Sequence, residues 1–226
     1  TTRLAFGAQQ QLRKLTGDKL VDNVSAALNL ASGHKIPALS KSLRPGPGAL
    51  KHRPQIADAP LGDVVYFPAC ASRMFGAPKT DLNLLPVTKA MLILLKRAGF
   101  DPLGPQKLTG QCCGQPFLSK GFPKQAKLLS DKLAANLVAL AKKNDAPIIT
   151  DMSTCALHLQ QNGLQILDSV EFLAQKILPR LSLERQIDHL ALHHNCSAQR
   201  MNEQPAMESL AGACAKNVAV LTSITC

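Results

Sequence analysis

The chain is expected to fold as an α/β protein: two repeated parallel-sheet α/β units with cysteines at the carboxyl ends of strands, preceded by an α-helical segment. Three observations predict this. From residue 61 onward, short apolar strand candidates alternate with longer helical stripes. Six of the seven cysteines fall just past a strand candidate, the edge at which parallel sheets hold ligands. The order strand, cysteine, helix, strand, cysteine occurs twice, with forty-one residues between Cys70 and Cys112 and twenty-nine between Cys196 and Cys226.

Residues 1–34 form the helical segment. Leu12, Leu15, Leu20, Val21, Val24, Ala27 and Leu28 recur mostly at intervals of three or four, and Gly17 is expected to break the run into two pieces. Residues 35–60 are rich in proline and glycine and read as a linker or a strap across a neighbouring surface. The first unit, 61–180, opens on the strand candidate Val64–Phe67. A helix follows, with Pro86 near its first turn and Gly99 at its end. "KLTGQ" precedes the pair Cys112–Cys113. The clearest helix carries Leu129, Leu133, Leu137 and Leu140 on one stripe, with Lys142 and Lys143 near its carboxyl end. Pro147–Asp151 is the next strand. "LQILD" precedes a helix from Ser169, where Asp168 and Glu171 are spaced as a capping pair. The second unit, 181–226, has a strand at His189–His194, a helix over "PAMESLAGACAKN" and a last strand at Val218–Thr222.

Composition narrows the function classes. Among 226 residues, 46% are hydrophobic and 18% charged, which describes a chain able to bury a core. No apolar run approaches the roughly 18 residues that span a bilayer. The net charge is +11, and residues 1–60 carry nine Lys or Arg against three Asp or Glu. The chain has no Trp and one Tyr, and no aromatics interleave with the basic residues, so a solvated basic face or docking surface is expected and nucleic acid is not. No signal peptide opens the chain, so the seven cysteines are expected to be reduced: metal ligands, redox groups or packing residues. Cys214, inside a helix, is expected to be a buried packing thiol. No nucleophile elbow, HExxH, Walker loop or GxGxxG is present.

Cys112 and Cys113 are adjacent, and a disulfide between neighbours closes a strained eight-membered ring. They call for partners elsewhere. Cys70, Cys112, Cys113 and Cys155 would bring four thiolates together from three strand ends, a donor set suited to an iron–sulfur cluster or Zn²⁺. Gly114 would let the backbone turn close beside the site. Thiol–disulfide chemistry at Cys112 and Cys113 is a further alternative. His158 lies three residues past Cys155, placed for an outer contact to the site. His193 and His194 read as hydrogen-bonded strand-end residues. Arg73 and Arg200 would either offset thiolate charge or be exposed.

These residues resemble a known family. "YFPACASRMFG", "QCCGQPF", "DMSTC" and "HHNCSAQRM" are similar to the segments of the cysteine-rich CCG domain, over roughly Val64 to Cys226. That domain occurs in heterodisulfide reductase, in glycolate oxidase iron–sulfur subunits and in the carboxyl-terminal part of FAD-linked D-lactate and D-2-hydroxyglutarate dehydrogenases, the group this chain resembles most. The resemblance implies an iron–sulfur electron-transfer module that passes electrons from flavin toward a quinone or cytochrome acceptor. FAD would sit in an upstream domain, and a flavin domain and a ferredoxin-like domain of the parent chain would be its partners. It also implies a cytoplasmic setting, with the inner face of the membrane as a peripheral one. The alternative is a structural zinc module that mediates docking within the same oxidoreductase. Two departures stand out. Met152 occupies the place of a further cysteine in the family's CxxC, and the second copy stops at Cys226, so Cys196 and Cys226 are half of a second site. The chain opens without Met, and an excised fragment is expected.

Overall fold

The computed structural model describes residues 2–40, 42–47, 61–77, 84–104, 111–184 and 186–221. The chain divides into two compact units, Thr1–Ala49 with Cys70–Ala90, and Leu50–Ala69 with Met91–Cys226.

The first unit is a helical hairpin with a strap. α1 (Thr2–Thr16) and α2 (Asp18–Ala31) meet at Gly17, whose φ of 86° lies in the left-handed region that favours glycine. The break is fastened by Arg13. Its buried guanidinium donates to Asp22 at 2.6 Å, to Asp18 at 3.2 Å and to the Leu39 carbonyl at 3.2 Å. Gln9 Nε2 donates to the Ser40 carbonyl at 2.7 Å, so the residues that follow α2 at this point lie against the hairpin. The strap then meets α3 (Cys70–Met74): Gly46 N donates to the Met74 carbonyl and Gly76 N to the Arg44 carbonyl, and the Phe6 and Phe75 rings stack at 5.5 Å. The leucines of the helical stripe are not the core here. Val21 is buried, whereas Leu15 is 84% exposed and Leu12, Leu20, Val24 and Leu28 are also exposed. The hairpin is held by polar ties instead.

The second unit holds two parallel sheets. Strands β1 (Asp63–Phe67), β2 (Asp101–Leu103), β3 (Ile148–Thr150) and β4 (Leu167–Asp168) form one sheet in the order β2-β1-β3-β4. Val65 is in register with both Leu103 and Ile148, and Thr150 with Asp168. Successive strand residues point to opposite faces, and both faces are covered. Val65, Phe67 and Leu103 pack with Leu133 and Leu137 of α6 (Pro123–Asn144) and Leu159 of α7 (Ser153–Gln161). Val64, Tyr66 and Ile149 pack with Met91 and Leu95 of α4 (Val87–Arg97), together with Phe172 and Ile177. The strand order reverses between β1 and β3, which is the switch point where open α/β sheets place ligands. β2 falls at Asp101–Leu103; Lys107–Gly110 of the expected "KLTGQ" strand lie outside the described residues.

After β4, Asp168 caps α8 (Ser169–Phe172) by accepting from Val170 N at 2.8 Å; the helix passes into a π-helical turn, Leu173–Ile177. The second sheet pairs β5 (Ile187–Leu192) with β6 (Ala215–Val220) in parallel. Between them lie α9 (Cys196–Arg200) and α10 (Gln204–Cys214). The helix expected through Asn217 ends at Cys214, because Ala215–Asn217 already pair with Ile187–His189. Cys214 is exposed, which corrects its assignment as a buried thiol. Glu203, at the start of α10, is 4% exposed, and neither of its carboxylate oxygens has a hydrogen-bond partner among the described residues. No helix among the described residues is long and apolar enough to cross a membrane.

Candidate metal centre

The centre grows from the carboxyl ends of β2 and β3. After β2 the chain reaches Cys112, Cys113 and Gly114. Gly114 has φ 92° and begins the short helix α5 (Gln115–Leu118). A β-carbon here would lie 2.2 Å from the Ala126 carbonyl oxygen in α6, so glycine is required by both conformation and space. This close approach turns Cys113 inward, where it is 2% exposed and joins the core cluster beneath α6. Gly114 N donates to Cys112 Sγ at 3.4 Å, and Cys112 stays half-buried.

After β3 the chain runs through Asp151 and Met152 into α7. Cys155 N and Ala156 N both donate to the Met152 carbonyl, which starts the helix and places Cys155 on its buried side, 5% exposed. Cys113 Sγ and Cys155 Sγ are 3.0 Å apart. The neighbouring Cys112 sulfur, then the Cys155 sulfur and burial, all push the Cys113 thiol strongly up. Gathered sulfurs without a cation hold their protons; a metal ion reverses that preference and takes thiolates.

His158, one turn after Cys155, is 5% exposed. Burial lowers its pKa, against an opposing pull from Cys112, so the imidazole stays neutral. Its Nε2 lies 3.5 Å from Asn162 Nδ2. Among the described residues, no three His, Cys, Asp or Glu side chains converge into a closed metal site. The donor chemistry of Cys112, Cys113 and Cys155 is that of soft-metal ligands: Cys113 and Cys155 are in sulfur contact, and the Cys112 sulfur neighbours Cys113.

The other sequence-predicted residues fall as follows. Cys70 is a half-buried thiol at the first position of α3, in the first unit. Cys196 opens α9 and is disulfide-bonded, which corrects the expectation that all the cysteines are reduced; Cys226 lies outside the described residues. His194 Nε2 is 3.2 Å from Glu208 Oε1 across the second sheet's helix, while the buried Nδ1 of His193 has no partner among the described residues. Arg200 is exposed.

Sequence reasoning missed Asp151. Its Oδ2 accepts from Tyr66 OH at 2.6 Å and its Oδ1 from Ala69 N at 2.7 Å, which ties the ends of β1 and β3 across the switch point. Ala69 immediately precedes Cys70. A signal was present: Tyr66 is the chain's one tyrosine, set in an apolar strand, and a buried phenol needs an acceptor.

This strand-edge grouping of cysteines can be compared with known proteins. Residues 64–160 match the cysteine-rich domain CCG. The CCG match runs from β1 to the end of α7, includes Cys70, Cys112, Cys113, Gly114 and Cys155, and covers less than half of the chain. No curated protein and no solved structure matches. The CCG segment therefore takes in the switch point between β1 and β3, and leaves out β4, β5, β6 and the helices among them.

Proposed function

We propose that the chain is an electron-transfer module whose CCG segment holds an iron–sulfur cluster through Cys70, Cys112, Cys113 and Cys155. The observation that carries this reading is the buried pair Cys113–Cys155, 3.0 Å apart, with Cys112 beside it at the sheet edge. Cys70 enters the set from the sequence pattern alone. A bound cluster would supply one-electron transfer with little movement of its ligands. The chain's own residues do the rest. Asp151 holds the β1 end still, Gly114 allows α5 to lie against α6, and the apolar core beneath Cys113 and Cys155 excludes water from two of the ligands. His158, buried one turn after Cys155, is kept from gaining a proton by burial and adds no charge to the set.

In the wider protein we place this module after an FAD domain that oxidises a D-2-hydroxy acid, D-lactate or D-2-hydroxyglutarate, with a ferredoxin-like domain between and a quinone or cytochrome as acceptor. This context rests on the resemblance of the four cysteine segments. A structural zinc site through the same cysteines is the second reading, since thiolate donors suit zinc as well as iron.

Anaerobic reconstitution with ferrous iron and sulfide decides between them. The iron–sulfur reading expects a coloured protein with about four irons or fewer per chain, and a Cys113→Ser variant with sharply reduced loading. A colourless chain that takes up zinc through the same cysteines would support the second reading. Loading unchanged in both Cys113→Ser and Cys155→Ser would overturn the ligand assignment.

A further inference from the structure

We propose that Cys113 and Cys155 are an oxidation site, closing a disulfide in the metal-free chain that withdraws two sulfurs from the centre. The two Sγ atoms stand 3.0 Å apart. A disulfide bond is about 2.05 Å long, so closure asks for about 1 Å of side-chain movement. Cys113 is fixed by the close approach of Gly114 to Ala126, and Cys155 by its place in the first turn of α7, where its N–H donates to the Met152 carbonyl. The pairing differs from the one adjacency suggests. Cys112–Cys113 would close the strained vicinal ring, whereas Cys113–Cys155 links two separate loops without one.

Burial selects the oxidant. At 2% and 5% exposure the two sulfurs call for a small oxidant, and hydrogen peroxide is the one named here. In the first step the Cys155 sulfur attacks the peroxide O–O bond; an S–O bond forms, the O–O bond breaks and one water leaves. In the second step the other sulfur attacks the sulfenic sulfur; the S–S bond forms, the S–O bond breaks and a second water leaves. The two sulfurs together lose two electrons, the peroxide gains them, and both thiol protons end in water. A thiol reductant reverses the result. The consequence for metal loading rests on the function proposed above: with Cys113 and Cys155 joined, two of its ligands are gone. Oxidation would then hold the module empty until it is reduced.

The test uses the full chain, stripped of metal under reductant, freed of reductant and treated with a small excess of hydrogen peroxide. Free thiols are alkylated and the digest is mapped by mass spectrometry. The expected product is a peptide linking Cys113 to Cys155, lost again on treatment with dithiothreitol. Cys113→Ser should give no such link, and Cys155 should run on to the sulfinic acid. Should that variant fail to fold, Cys112→Ala, which keeps both sulfurs, must still yield the link. Zinc affinity, read against a chromogenic chelator, should fall at least about a hundredfold on oxidation, beyond the roughly 10–100-fold cost of losing an outer contact, and recover on reduction. Recovery of Cys113 and Cys155 as unmodified thiols, or a dominant link through Cys112, would overturn the proposal. If the link forms but the reduced chain takes up neither zinc nor iron, the oxidation site stands and the metal function falls.

Discussion

Replacing Glu203 with glutamine should make the folded chain less sensitive to alkali. The side chain is 4% exposed and its carboxylate oxygens have no partner among the described residues. Burial first, then the nearby charges of Asp168 and Glu171, raise its pKa from 4.5 to about 8. Between those two values the folded chain keeps a proton that the unfolded chain has released. Stability therefore falls as pH rises through that window, and levels off above it. With about 1.36 kcal/mol per pKa unit, the wild type should lose between about 2 and 3 kcal/mol from this group alone between pH 6 and pH 9. Glutamine carries no such proton. Urea unfolding followed by circular dichroism at several pH values measures both proteins, and their difference cancels the titration of every other group. Wild type and variant should be close at pH 6, with the variant ahead by the stated amount at pH 9. Parallel profiles across that range would refute the reasoning.

Two further substitutions test the strand edge. Tyr66→Phe removes the hydrogen bond to the Asp151 carboxylate; denaturant unfolding should show a loss of about 1.5–3 kcal/mol, the range for bonds to a charged group. Gly114→Ala places a β-carbon 2.2 Å from the Ala126 carbonyl at a φ of 92°; a loss of at least about 1–3 kcal/mol is expected from the backbone strain alone, together with reduced metal uptake because Cys113 must shift. A variant as stable as the wild type would show that α5 is free to move away from α6.

The fold was legible where pattern and length agreed. The break at Gly17, the strands at β1 and β3 and the 22-residue α6 each had a clear period or an unmistakable punctuation mark. β2 was not legible, because Asp101–Leu103 is three residues long, contains a proline and has no alternation to detect; it is a strand because it pairs in parallel with β1, Leu103 opposite Val65. The α10–β6 boundary was hidden by an alanine-rich run compatible with either state, decided by pairing with β5. At the site, the adjacency of Cys112 and Cys113 announced a need for partners, and Cys155 supplied one. What no spacing could reveal was the Asp151 tie or the isolation of Glu203. Both depend on which residues from distant stretches of chain arrive at the same buried point.

The close approach of Gly114 to Ala126 also bears on how this segment can change over generations. The glycine's place is set by a carbonyl twelve positions downstream, and the turn at Lys120–Phe122 supplies the length that brings the two together. An insertion or deletion anywhere in that interval would swing α5 off α6 and carry the preceding cysteines with it. The three-letter signature is thus one jaw of a caliper that spans residues 114–126. Substitution at the exposed positions within it should be tolerated freely, and changes of length hardly at all.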